Sequence, residues 1–167
     1  HYTFADFDRS LLLWMRMDDV NASGDPTDLS SWSNNGSKGD NAVQNTSGYF
    51  NASFRFDGNG DSINIATLPD FVATQNYTYA AWIYPIKSIK QEIISQANFP
   101  VGTGFGFDLN ASNSLSFSKY LDTTETVVVG SIESVPLAQW SFVLATYVNG
   151  NVTLYINGAS NGNGAST

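Results

Sequence analysis

Two Asn-Gly pairs, Asn149-Gly150 and Asn157-Gly158, punctuate the segment Gln139 to Gly158 (QWSFVLATYVNGNVTLYING) and constrain the fold more than any other feature of the chain. Along Trp140, Phe142, Leu144 and Thr146 one face is mostly apolar. The interleaved Val143, Ala145 and Tyr147 make a second such face, and Val152, Leu154 and Ile156 then alternate with Thr153 and Tyr155. Asn-Gly supplies the positive φ angles of a two-residue hairpin turn, so the segment reads as strand, tight turn and strand. The second Asn-Gly announces another turn, but Ala159 to Thr167 (ASNGNGAST) contains no strand-like run. The expectation is an open sheet edge at Val152, Leu154 and Ile156, followed by a flexible tail or linker over 159–167.

The rest of the chain repeats the pattern of short strands between turns. Residues 1–9 form an entry segment. Leu11 to Met17 is the first strong strand, with Leu11, Leu13, Met15 and Met17 on one face. The stretch from Asp18 to Gly48 is loop-rich, and an irregular stretch of that length is either functional or tied down by something other than a ladder. Ser53 to Phe56 and Ser62 to Ile65 read as a hairpin around Asp57-Gly58-Asn59-Gly60-Asp61. Tyr77 to Tyr84 is apolar on both faces, hence a central strand that Pro85 ends. Further strands are expected at Glu92 to Gln96, Gly104 to Leu109, Ser114 to Lys119 and Thr126 to Ser131. Such spacing predicts a single all-β domain over 1–167, an antiparallel sandwich.

Composition excludes several function classes. A net charge of -8 with only 7 Lys and Arg offers no patch for nucleic acid. With no Cys, there are neither disulfides nor thiolate metal sites. No apolar run is long enough for a membrane span, so membrane insertion is not expected. Asn-x-Ser/Thr sequons begin at Asn21, Asn35, Asn45, Asn51, Asn76, Asn110 and Asn151, against about three expected by chance placement. That surplus favours an extracellular, secreted glycoprotein.

The order of these features resembles the laminin-G-like domains of the concanavalin A-like jelly-roll class. The matching residues are LLLWMRMDD at Leu11 to Asp19, the loop DLSSWSNNGS from Asp28, FRFDGNGDSINI at Phe54 to Ile65 and YTYAAWIYP at Tyr77 to Pro85. GFGFDLN at Gly104 to Asn110 and the terminal hairpin complete the set. The resemblance implies a jelly-roll β-sandwich with a structural calcium ion near Asp18, Asp19 and Asp28. It also implies further strands beyond Ile156, which are missing here. Either the chain is part of a longer protein, or a neighbouring identical subunit supplies the missing strands by β-strand complementation.

Catalysis has little support. Glycosidic hydrolysis generally needs two carboxyl groups across the scissile bond, and the Glu-x-Asp-x-x-Glu strand of laminarinase-like relatives has no counterpart among Glu92, Glu125 and Glu133. Asp108 stands alone on its strand, and a single His leaves nucleophile pairs unsupported. A second calcium candidate is Asp57, Asn59 and Asp61, which tight-turn chemistry also explains. Trp32, Tyr49, Phe99 and Tyr120 fall in loop-like contexts and are the glycan-contact candidates, whereas Trp14, Trp82 and Trp140 belong to the core. The resulting expectation is a non-enzymatic extracellular recognition and adhesion module that binds glycan or a cell-surface protein through its loop rim. The alternative is a glycosylated subunit of an extracellular filament or surface layer.

Overall fold

The computed structural model describes residues 9–66, 68–69, 75–98, 103–121 and 124–165. The chain divides into two compact units, His1–Pro69 and Asp70–Thr167. No helix occurs among the described residues.

The first unit carries four short strands, β1 (Gly36–Gly39), β2 (Val43–Asn45), β3 (Ser53–Arg55) and β4 (Ser62–Ile65). β2 pairs with β3 and β1 with β4, both antiparallel, so one hairpin is nested inside another pairing. The expected hairpin of 53–56 with 62–65 therefore has its strands but not its partners. Asp61 explains the difference. Its Oδ2 accepts the Asp57 N–H at 2.7 Å, closing the 57–61 loop, while Oδ1 accepts the Asn41 N–H at 2.8 Å across the interruption between β1 and β2. Two of the strands lie inside the expected loop of 18–48. The sequence GSKG of β1 has no strand propensity, yet its glycine is needed: a Cβ on Gly36 would stand 2.6 Å from Ile63 Cγ2.

The stretch 11–17 is not a ladder strand. Its polar groups go instead to a loop. The Trp14 N–H donates to Asp28 Oδ1 at 2.8 Å, the Trp14 carbonyl accepts from the Leu29 N–H at 2.9 Å, and the Leu12 carbonyl accepts from Asn34 Nδ2 at 2.7 Å. Met17 then turns the chain with φ 66°.

The second unit is a sandwich of two four-stranded antiparallel sheets. Its strands are β5 (Tyr77–Ile83), β6 (Gln91–Asn98), β7 (Thr103–Leu109), β8 (Ser114–Leu121), β9 (Thr124–Ser134), β10 (Ser141–Val148), β11 (Asn151–Ile156) and β12 (Ala159–Ala165). One sheet is ordered β12-β11-β10-β5, the other β6-β7-β8-β9. Alternation decides the inner faces: Val143, Ala145, Tyr147, Val152, Leu154 and Ile156 meet Phe105, Phe107, Leu109, Leu115, Phe117 and Val129 in one buried cluster. Tyr79 stacks on Phe105 with centroids 4.3 Å apart, and burial, aided by neighbouring Tyr77, pushes its phenol well above the ordinary value.

Both Asn-Gly turns have the positive φ pair that the sequence demands, 49° and 82° at Asn149-Gly150 and 50° and 85° at Asn157-Gly158. The return strand is present. β12 pairs along β11 from Asn151↔Ala165 to Ile156↔Ala159, so Val152, Leu154 and Ile156 are buried in a strand with partners on both sides. The open edge and the flexible tail are thus corrected through residue 165. β12 escapes a sequence reading because its glycines serve a contact rather than a propensity: a Cβ would lie 2.7 Å from the Gly130 carbonyl oxygen at Gly162, and 2.6 Å from that of Val128 at Gly164. Among the described residues β5 pairs with β10 alone, so it ends its sheet rather than lying at its centre. Trp14, Trp82 and Trp140 are half-buried, and none joins the buried cluster; Trp82 pairs across the sheet with Phe142, centroids 5.3 Å apart.

Candidate functional site

Among the described residues the most exposed aromatic pair sits at the tip of the β2–β3 hairpin. Within the tip, Asn45 Oδ1 accepts the Ser47 N–H at 3.0 Å, and the Gly48 N–H donates to the Asn51 carbonyl at 2.7 Å. At its base, the Ala52 N–H donates to Asp18 Oδ1 at 2.7 Å and Gln44 Nε2 to the Met17 carbonyl at 2.7 Å. These bonds present Tyr49 and Phe50 outward, 49% and 75% exposed, edge to face with centroids 4.7 Å apart. An aromatic face held this way can pack against the C–H face of a sugar ring. The reading of the sequence named Tyr49 but missed Phe50, which the Gly48-Tyr49-Phe50-Asn51 turn signal could have shown to be at the same tip.

The other aromatic candidates occupy separate elements. Trp32 is 46% exposed in the loop of 28–35, with its Nε1 donating to the Arg9 carbonyl at 3.2 Å. Tyr120 is half-buried on β8 in the other unit, its hydroxyl lying over Gly106. Phe99 lies outside the described residues.

The acidic candidates do not gather. Asp28 is buried and saturated. Its Oδ1 accepts N–H groups from Trp14 and Ser30, and its Oδ2 accepts the Ser30 hydroxyl at 2.6 Å and the Asn34 N–H at 2.8 Å. Burial alone would raise its pKa, but the bonds from Ser30, Trp14 and Asn34 outweigh it and hold the carboxyl below the ordinary value. Asp18 Oδ2 pairs with Arg16 at 2.9 Å, and Asp19 lies 3.8 Å from the same guanidinium. Asp57, Asn59 and Asp61 form a turn, with Asp57 Oδ1 taking the Asn59 N–H at 2.7 Å. Among the described residues no group of three or more His, Cys, Asp or Glu could hold a metal ion. Of the three carboxylates expected to bind calcium, Asp28 gives its oxygens to Trp14, Ser30 and Asn34, and Asp18 gives its own to Arg16 and the Ala52 N–H, whereas Asp19 Oδ2 is buried with no hydrogen-bond partner.

Asp108 is not alone. Register places Glu92 of β6 directly opposite it, on the sheet face away from the core. Lys90 Nζ reaches Asp108 Oδ2 at 3.3 Å and Glu92 Oε1 at 3.6 Å. Asp108 is 2% exposed, so the ammonium compensates a charge held inside the sheet. The Lys-x-Glu spacing, with Lys90 just before β6 and Glu92 on it, is the signal that reveals this group.

The antiparallel layers and their paired Asn-Gly turns define an all-β jelly-roll sandwich of the concanavalin A-like kind. The chain belongs to the laminin-G-like family described as the concanavalin A-like lectin/glucanases superfamily, whose sequence profile matches residues 57–167. It is also similar in fold to the crystal structure of residues 221–444 of an S-layer domain-containing protein from Clostridium thermocellum ATCC 27405. The TM-score is 0.59 at 20% identity, covering 90% of this chain and 70% of that one. Among curated proteins no sequence matches the chain.

Proposed function

We propose that the chain is a non-enzymatic, extracellular recognition module that binds glycan through the aromatic tip of β2–β3. The observation that carries this reading is the exposure of Phe50 beside Tyr49 on a tip whose base is fixed by Asp18 and Gln44. A ring held outward leaves apolar surface in water that a stacking partner would cover favourably. Membership in a lectin-containing superfamily and the surface-layer context of the fold relative support the same reading. On the enzymatic side, the buried Asp108 is tied to Lys90 and so is ill placed to transfer a proton. Filament growth by strand complementation at Val152 to Ile156 loses its premise, because β12 already pairs there.

The test is a glycan array followed by calorimetry on the best hit, with the wild type and Tyr49→Ala/Phe50→Ala. Loss of one stacked ring face corresponds to about tenfold or more in affinity. Undiminished binding by the double variant, or no hit at all, would sink the proposal.

A further inference from the structure

We propose that the seven sequons are N-glycosylation sites, with the sugar carried at turns and strand ends while the sheet faces stay bare. Asn21, Asn35, Asn45, Asn51, Asn76, Asn110 and Asn151 are all exposed. The buried asparagines among the described residues, Asn34, Asn113 and Asn161, all lie outside sequons.

Local geometry adds a second, independent regularity. In three sequons the asparagine Oδ1 accepts the backbone N–H of the sequon serine itself: Asn21 from Ser23 at 2.8 Å, Asn45 from Ser47 at 3.0 Å and Asn110 from Ser112 at 2.8 Å. In two more the oxygen is held by a distant amide, Asn35 by Asp28 and Asn76 by Asn149, each at 2.9 Å. The carbonyl end is thus anchored in five of the sites. The amide nitrogen, the atom that is substituted, makes at most a long contact: Asn21 Nδ2 to Asp25 Oδ2 at 3.3 Å and Asn151 Nδ2 to the Asn149 carbonyl at 3.4 Å.

The sites fall into groups. Asn45 and Asn51 flank the Tyr49–Phe50 tip, Asn21 and Asn35 bracket the segment that begins at Asp25, and Asn76 and Asn151 both bond Asn149 at the β10–β11 turn. Asn110 opens the β7–β8 turn. In the transfer, Nδ2 loses a proton to a base of the transferase and bonds the anomeric carbon of a polyprenyl-phosphate-linked oligosaccharide. The bond from that carbon to the phosphate oxygen breaks, and the lipid phosphate leaves with its electrons.

The experiment is glycopeptide mass spectrometry of the chain purified from the cells that make it. A parallel preparation carries Ser23→Ala, Ser47→Ala and Ser112→Ala. Expected is sugar on most of the seven and on none of Asn34, Asn113 or Asn161, with Asn21, Asn45 and Asn110 bare in the triple variant. Occupancy of fewer than half of the seven, or sugar that persists at those three without their serines, would overturn the proposal. Because occupancy is read without any ligand, the result is independent of whether the aromatic tip binds glycan.

Discussion

Asn161 of β12 and Glu133 of β9 clasp each other with two hydrogen bonds, the Glu133 N–H to Asn161 Oδ1 at 2.7 Å and Asn161 Nδ2 to Glu133 Oε2 at 2.8 Å. β9 and β12 each end their own sheet, so this clasp fastens one sheet to the other along one side of the sandwich. Asn161→Ala should cost about 1–3 kcal/mol, because it leaves the Glu133 amide without its acceptor. Chemical denaturation and amide exchange along Ala159 to Ala165 would show the loss, and unchanged protection there would contradict it.

Removing the strand altogether is a harsher test. A chain ending at Gly158 exposes the backbone groups of β11 that β12 now pairs, and should aggregate at concentrations where the full chain stays dispersed. Light scattering on the two chains distinguishes the cases.

Acid should loosen the first unit through Asp28. Its folded-state pKa lies below the unfolded value, so its contribution is present above about pH 4 and is lost as the pH falls through the folded value. Asp28→Asn should cost about 2–3 kcal/mol at neutral pH, because Oδ2 no longer accepts from Ser30 and Asn34. It should also flatten the acid limb of stability, measured as the denaturation midpoint against pH. A variant with the wild-type acid limb would show that another group controls it.

Lys90→Met leaves the Asp108 carboxylate in the sheet without its ammonium and should destabilise the second unit by about 2 kcal/mol or more. Adding Asp108→Asn should restore part of that loss, since the uncompensated charge is then gone. Strict additivity of the two changes in a denaturation cycle would argue that the pair does not interact.

Core and tip should respond in opposite ways to truncation. Leu154→Ala opens a cavity at a fully buried position and should cost about 2–5 kcal/mol. Phe50→Ala, at the exposed tip, should leave stability within about 0.5 kcal/mol. Thermal melts of the two variants, set against glycan binding, separate a ring kept for folding from one kept for recognition.

Much of this was legible in the chain. Alternation along β11 set Val152, Leu154 and Ile156 on one face, and the two Asn-Gly pairs specified turns whose φ values the structure reproduces, but β10 reads as apolar on both faces and only the packing puts Val143, Ala145 and Tyr147 inward. Tyr49 was found as an exposed loop aromatic. What a sequence could not supply was partnership. Nothing local says that β4 pairs with GSKG rather than with β3, that Asp28 spends its oxygens on Trp14, Ser30 and Asn34, or that Glu92 faces Asp108 across a ladder.

Alternation and turn chemistry are properties of neighbours along the chain, and from them the sequence alone determined an all-β sandwich with its terminal hairpin in place. The tertiary structure alone decided that ASNGNGA is a strand. Side-chain-poor residues there have no intrinsic reason to extend, and they do so because β11 offers a ladder on one side while the carbonyls of Val128 and Gly130 leave no room for a Cβ on the other.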